Sequence, residues 1–171
     1  MPLEAQAVPV IPARTPEDIQ TIERLAREIW RQHYLPIIGQ GQIDYMLERF
    51  QSAAAIARQI EEGQDYFLLY HRGSAAGYLA IEADADAASL KITKIYVRKE
   101  ARGLGLGKAL LAFAEAQGRA RDIHRLWLTV NKYNSDSIAW YEHMGFCNEG
   151  PVAQDIGGGF VMDDFRFGKT L

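Results

Sequence analysis

From Ile95 to Leu111 a strand, a basic glycine-rich turn and the first turns of an apolar helix follow one another without a break. Ile95-Tyr96-Val97 is β-branched and aromatic, Arg98 to Arg102 is rich in charge, and Gly103, Gly105 and Gly107 alternate into Lys108-Ala109-Leu110-Leu111. Glycines at alternate positions let backbone N–H groups approach a ligand with no Cβ in the way. Those groups stand where a helix begins, and there the unpaired donors and the positive end of the dipole favour an anion, phosphate above all. Arg102 and Lys108 add mobile positive charge at the two edges. The segment is built to hold a phosphorylated ligand at the mouth between a strand end and a helix start.

Spacing excludes two familiar nucleotide motifs. A P-loop has four residues between its glycine and Gly-Lys-Ser/Thr; here three separate Gly103 from Gly107-Lys108, and Ala109 stands where the magnesium-binding hydroxyl belongs. In the dinucleotide fingerprint Gly-x-Gly-x-x-Gly the third glycine would fall one residue later, near the start of a βαβ unit rather than mid-chain. What fits is Arg102-x-x-Gly105-x-Gly107, which resembles the pyrophosphate-binding signature of the GNAT acetyltransferase superfamily. Leu126 to Val130 then reads as a strand, Asn131-Lys132-Tyr133-Asn134 as a polar turn, and Ser135 to Met144 as a helix stopped by Gly145. The run Asn134-x-x-x-Ile138-Ala139-Trp140-Tyr141-x-x-Met144-Gly145-Phe146 resembles the second GNAT signature. The resemblance covers residues 65–171 well and the first sixty loosely. The closing Phe160-x-Met162-x-Asp164 and Lys169-Thr170-Leu171 are similar to the final strand of bacterial members grouped with polyamine acetyltransferases.

A chain of 171 residues suits one domain, 1–171, with a full core, and 48% apolar with 24% charged residues excludes disorder as its main character. A net charge of −3 gives no reason to expect nucleic acid or an anionic membrane as partner. Cys147 is the single cysteine, so no internal disulfide framework exists; a small core residue in a reducing cytoplasm is the expectation. No apolar run reaches a membrane span, and Met1 to Val10 does not read as a signal peptide. The histidines at 33, 71, 124 and 143 lack a metal-ligand spacing, so no metal is expected.

Val8 to Arg14, with its prolines, can only be an edge strand. Thr15-Pro16-Glu17-Asp18 opens a helix whose apolar stripe, Ile19, Ile22, Ala26, Ile29, Trp30 and His33, is expected to end before Pro36. Further helices are expected over 41–50 and 52–62, then a hairpin of Tyr66–Tyr70 and Ala75–Ala83, a strand at 90–98, a helix at 106–121, and last strands near 146–149 and 160–167. The order β-α-α-α-β-β-β-α-β-α-β-β is mixed α/β with helices covering a mostly antiparallel sheet.

What the resemblance implies is more specific. It implies a twisted sheet of about seven strands, splayed between two central parallel strands and flanked by four to five helices. Acetyl-CoA would be the co-substrate, with pantetheine along Ile95, Tyr96 and Val97 and the pyrophosphate on Arg102, Gly103, Leu104, Gly105, Leu106, Gly107 and Lys108. Arg98 and Lys99 would approach the phosphates. Tyr141 would be the general acid toward the departing thiolate, Asn134 a pantetheine ligand, and the Val97 N–H a donor to the thioester oxyanion. Many relatives carry a glutamate on the strand before the turn; Leu90-Lys91-Ile92-Thr93-Lys94-Ile95 has no acid, which leaves a water relay to Glu82, Glu28 or His33. The acceptor pocket would draw on Trp30, His33, Tyr34, Asp44, Tyr45, Glu82 and a mobile Asp155–Gly159 edge, the same residues serving equally to pack helices. A primary amine is expected, polyamine-like first and an amino-acid or peptide α-amine second, with a homodimer as assembly. A non-catalytic acyl-CoA-binding module is the competing class.

Overall fold

The computed structural model describes residues 8–84 and 86–171, so the expectations for Met1 to Ala7 and for Ala85 of the acidic loop lie outside the described residues. β1 (Val10–Pro12) is a short edge strand, and α1 (Pro16–Ile38) starts at a complete capping box: Thr15 Oγ1 accepts from Asp18 N–H at 3.1 Å, and Asp18 accepts from Thr15 N–H at 3.1 Å. The helix does not stop before Pro36. It runs through it to Ile38, since the proline lies in the last turn and forfeits only one bond, the one to the Gln32 carbonyl, while Gly39 N–H closes the end on Leu35 O at 3.2 Å. Gly39, at φ +81°, is the whole connection to α2 (Gln40–Gln51), and Ser52 caps α3 (Ala53–Glu61).

β2 (Asp65–His71) and β3 (Ser74–Asp84) form the expected hairpin, with Arg72 and Gly73 both at positive φ in the manner of a type I′ turn. β4 (Ser89–Val97) leads through a 3-10 turn at Lys99–Ala101 to α4 (Leu106–Ala120), and β5 (Arg125–Asn131) leads to α5 (Ser135–His143). β6 (Cys147–Gly157) and β7 (Phe160–Thr170) close the sheet in the order β1-β2-β3-β4-β5-β7-β6. β6 is far longer than expected. It is the outer edge, where Pro151 breaks no inner ladder and two bulges absorb the irregular sequence. Cys147 is consequently exposed rather than buried in the core.

Two apolar layers sandwich the sheet. Leu106, Leu110, Leu111 and Ala114 of α4, with Tyr141 of α5, meet Leu79, Ile81, Leu126 and Leu128 on one face. Ile22, Ala26, Ile29 and Trp30 of α1, with Ile43, Leu47 and Ile56, meet Leu68, Tyr78 and Ala80 on the other. The two central strands part between these layers: β4 and β5 are parallel and pair only at Ser89–Arg125, Leu90–Leu126 and Lys91–Trp127. Beyond Lys91 the β5-facing edge of β4 has no strand partner. Among the described residues no helix is long and apolar enough to cross a membrane.

Candidate active site

The parting of β4 and β5 opens a cavity of about 870 Å³ that runs through the molecule from the glycine turn to the inner faces of α1 and α2. Its rear wall is the free edge of β4. Arg98 N–H bonds to Ala76 O of β3 at 2.8 Å, and strand pleating alternates the direction of backbone groups, so Val97 and Ile95 aim theirs at the opening. At the mouth Gly103 and Gly105 hold φ +79° and +76°, conformations that side chains other than glycine rarely adopt. Gly105 is the N-cap of α4, and Gly103, Gly105, Leu106, Gly107 and Lys108 all line the cavity. Leu104 turns outward and is exposed. Arg102 folds back so that Nε donates to Val97 O at 3.3 Å.

Arg98 and Lys99 do not join them. Arg98 is drawn to Glu28 of α1 at 3.1 Å, and neither residue lines the cavity. The same pair removes Glu28 from the candidate proton acceptors, because its carboxylate is engaged on a guanidinium.

Asn134 caps α5, its Oδ1 accepting from Ser137 N–H at 3.4 Å, and its side chain is only 5% exposed. About two turns further on, Tyr141 reaches the cavity from within the α4 layer, packed against Trp140, Phe146 and Phe167. Burial, with the Tyr34 hydroxyl nearby, pushes its pKa up, so the phenol stays protonated. Trp30, His33 and Tyr34 of α1 form the opposite wall. The Tyr34 and Tyr96 hydroxyls share a hydrogen bond of 3.0 Å, and burial lifts Tyr34 to about 12. His33 is shifted the other way, by burial first and the Arg102 cation second, and is neutral at pH 7.

Two expected acceptor residues lie elsewhere. Asp44 sits in an exposed network with Gln40 and Arg31, and the Tyr45 hydroxyl donates to Ile156 O at 2.6 Å. Gly157 and Gly158 of the expected mobile edge are explained by that tyrosine: a Cβ on Gly158 would stand 2.8 Å from its ring, whereas Gly159 faces open space at φ +79°. They permit close packing at the β6–β7 tip.

One residue was not anticipated. Asp164 on β7 lines the cavity with 6% of its surface exposed and is in no ion pair among the described residues. Burial lifts its carboxyl to about 6; a hydrogen bond from Thr129 and the Lys91 and Lys132 cations act against the rise, and Asp163 adds to it. The closing pattern Phe160-x-Met162-x-Asp164 contains it without marking it as a site residue; its neighbour Asp163 pairs with Lys132 at 2.8 Å on the surface. Glu82, on β3 opposite Lys91, also lines the cavity. Among the described residues no group of His, Cys, Asp or Glu is gathered to hold a metal.

Comparison with known proteins agrees with this architecture. The profile of the acetyltransferase (GNAT) family matches residues 22–146. The chain is similar to the spermidine N(1)-acetyltransferase of Thermoplasma acidophilum, 26% identical over 152 residues that make up 86% of this chain and 91% of that protein. It is 36% identical over 89 residues, 48% of its length, to an uncharacterized N-acetyltransferase of Lactobacillus delbrueckii subsp. lactis, and the match spans only 51% of that relative, about half its length. The crystal structure of PaiA N-acetyltransferase from Thermoplasma acidophilum, in complex with coenzyme A, has the same fold at a TM-score of 0.80 and 20% identity, covering 97% of this chain and 100% of that one. The chain belongs to the GNAT family.

Proposed function

We propose that this protein is an acetyl-CoA-dependent N-acetyltransferase that passes the acetyl group to a primary amine by direct attack within a ternary complex. The observation that carries this reading is the continuity of one cavity along the open edge of β4, the glycine turn and the Tyr141 hydroxyl. Pantetheine would lie against Ile95 to Val97 in place of the missing strand, a form of strand addition. The pyrophosphate would rest on the N–H groups of the turn, with Arg102 and Lys108 beside it. Asn134 keeps one Nδ2 proton for the pantetheine while its other contacts fix α5.

In the reaction the acceptor enters as an ammonium and must first lose a proton. Asp164 is the acceptor best suited to take it, being a cavity carboxylate that is ionised at neutral pH yet basic for its type. The freed nitrogen attacks the thioester carbonyl carbon, and the Val97 N–H donates to the oxyanion that forms. Collapse breaks the C–S bond, and Tyr141 donates its proton toward the departing thiolate. Two protons leave the nitrogen, one to Asp164 before attack and one from the tetrahedral intermediate; the second restores the proton that Tyr141 gives to the sulfur, and the first is released from Asp164 to solvent, so the products are the acetamide, the CoA thiol and one proton. The whole chain would act as one acetyltransferase domain in the cytoplasm, as a homodimer, with a polyamine-like amine the first acceptor suggested by sequence. Release of free CoA from acetyl-CoA, followed with a thiol reagent across a panel of amines, tests the reading; tight CoA binding with no release for any amine would favour the non-catalytic module.

A further inference from the structure

The end of the cavity away from the glycine turn holds four charged side chains, Glu82, Asp164, Lys91 and Lys94, and none is in an ion pair among the described residues. Asp164 is buried and the two lysines are half-buried, so for these three an unpaired charge carries an uncompensated desolvation cost, while Glu82 is exposed. The surface around them is well supplied with pairs: Arg31 with Asp44, Lys132 with Asp163, and Arg125 with Glu149. Among the two acids and two amines of the cavity no pair closes to salt-bridge distance, although Glu82 stands opposite Lys91 across β3 and β4.

Lys94 is held firmly. Its ammonium donates to Gln59 Oε1 at 3.2 Å and lies 5.7 Å from the centre of the Tyr66 ring. Gln59 Oε1 also accepts from the Tyr66 hydroxyl at 2.5 Å, and that hydroxyl accepts from Gln51, which in turn accepts from Tyr78. This buried chain fixes one ammonium proton and leaves the others toward the cavity. Burial, then the Lys91 charge, brings its pKa down to about 8, with Glu82 opposing. Lys91 lies over the Trp127 ring at 4.8 Å. Glu82 and Asp164 act on Lys91, and Glu82 on Lys94, without closing an ion pair, so a polycationic acceptor would add positive charge beside two lysines that lack a direct partner.

We propose that the acceptor is a small amino acid, bound with its ammonium toward Asp164 and its carboxylate toward Lys94 and Lys91. A zwitterion neutralises both halves of the cavity at once, whereas a polyamine satisfies only the acids. The same ligand charge that Lys94 lacks is the one the acceptor would bring. The inference rests on the acetyltransferase reading above and replaces its first acceptor.

The test compares the twenty L-amino acids with their primary amides and with spermidine, in wild-type protein and in the Lys94→Met and Lys91→Met variants. CoA release is measured, together with calorimetric binding of each amine to the CoA-loaded protein. The expected result is that at least one amino acid exceeds its own amide by about 10–100-fold in kcat/KM, since the amide leaves an ammonium unpaired. Lys94→Met should level that ratio mainly through KM. The proposal is overturned if amides or spermidine equal the amino acids, if the ratio survives in Lys94→Met, or if no amino acid binds. Turnover of spermidine alone would sink this inference and leave the acetyltransferase standing; failure of acetyl-CoA itself to bind would sink both. The wild-type comparison needs no variant to fold.

Discussion

The side-chain amide nitrogen of Asn134, at the start of α5, lies 2.9 Å from Nε2 of His33 in the last third of α1. A signature asparagine of the cofactor side is thereby tied to the first helix of the acceptor side, across the cavity. With His33 neutral, Nε2 accepts and the ring proton sits on Nδ1. His33→Ala frees the Asn134 side chain while leaving its cap to Ser137 in place. A neutral hydrogen bond contributes about 0.5–1.5 kcal/mol, so KM for acetyl-CoA should rise about 2–10-fold with normal far-UV circular dichroism. An unchanged KM would mean that the contact plays no part in shaping the cofactor wall.

Acetyl-CoA and CoA should stabilise the protein, and ATP and NAD much less. A ligand at 100 times its dissociation constant adds about 2.7 kcal/mol, read as a rise in Tm. Equal stabilisation by ATP would overturn the cofactor assignment.

Gly107→Val should remove CoA binding and spare the fold. A Cβ there stands 3.5 Å from the Trp140 ring, an ordinary contact, and Gly107 is helical. The same change at Gly105 must also carry the strain of φ +76°, so it should lose about 1–2 kcal/mol of stability besides. Calorimetry giving wild-type CoA affinity for folded Gly107→Val would show that phosphate binds elsewhere.

Tyr141→Phe keeps the ring that packs on Trp140 and Phe146 and removes the hydroxyl alone. A positioned general acid contributes about 10²–10⁴-fold, so kcat should fall by that order with little change in KM for acetyl-CoA. Steady-state kinetics between about pH 6 and 9.5 check it; a kcat within about twofold of wild type throughout would make Tyr141 structural.

Asp164→Asn should separate activity from stability. In wild type kcat/KM should rise as pH climbs through about 6, where the carboxyl ionises, and the variant should lose that limb together with about 10²-fold of rate. The folded carboxyl titrates above its ordinary 3.8, so between those values the folded protein keeps a proton that the unfolded chain has released. That contribution to stability is present at low pH and is lost as pH rises through about 6. At pH 7.5 the asparagine variant should therefore be more stable, by about 1–3 kcal/mol. A variant with lower stability and an unaltered pH profile would make Asp164 a structural residue only.

What could be read in the sequence was local. Thr15 and Asp18 announce a helix start because their bonds lie within four residues, and Arg72-Gly73 announces a hairpin for the same reason. The alternating glycines mark their turn without any knowledge of the sheet. Pro36 misled because its penalty falls on one bond at a helix end, which packing of Trp30 and Ile29 outweighs. β6 was underestimated because Gly150-Pro151 argues against an inner strand, and nothing local says that this one is an edge. Asp164 was invisible for a deeper reason: its burial is created by β7 lying between β5 and β6, a pairing that reaches Asn131 and Val152 from far along the chain. Glu28 failed as a base through a contact with Arg98 across seventy residues.

The short seam between β4 and β5 has a further meaning for the protein without its ligand. Sheets keep their free edges at the margins, where charge, proline or bulges discourage another strand from joining; β6 here has Pro151 and two bulges. Besides the two outer edges, β1 and β6, the stretch of β4 past Lys91 is a further free edge, kept in the middle of the sheet. Its row of backbone donors and acceptors is a template for any extended chain, guarded only by the narrowness of the cleft. Amide protons of Ile95 and Val97 should then exchange with solvent faster than their central position suggests, and slow when pantetheine is in place. On warming, the empty protein should be the one that self-associates first, so that the cofactor protects the solubility of the fold as well as serving its chemistry.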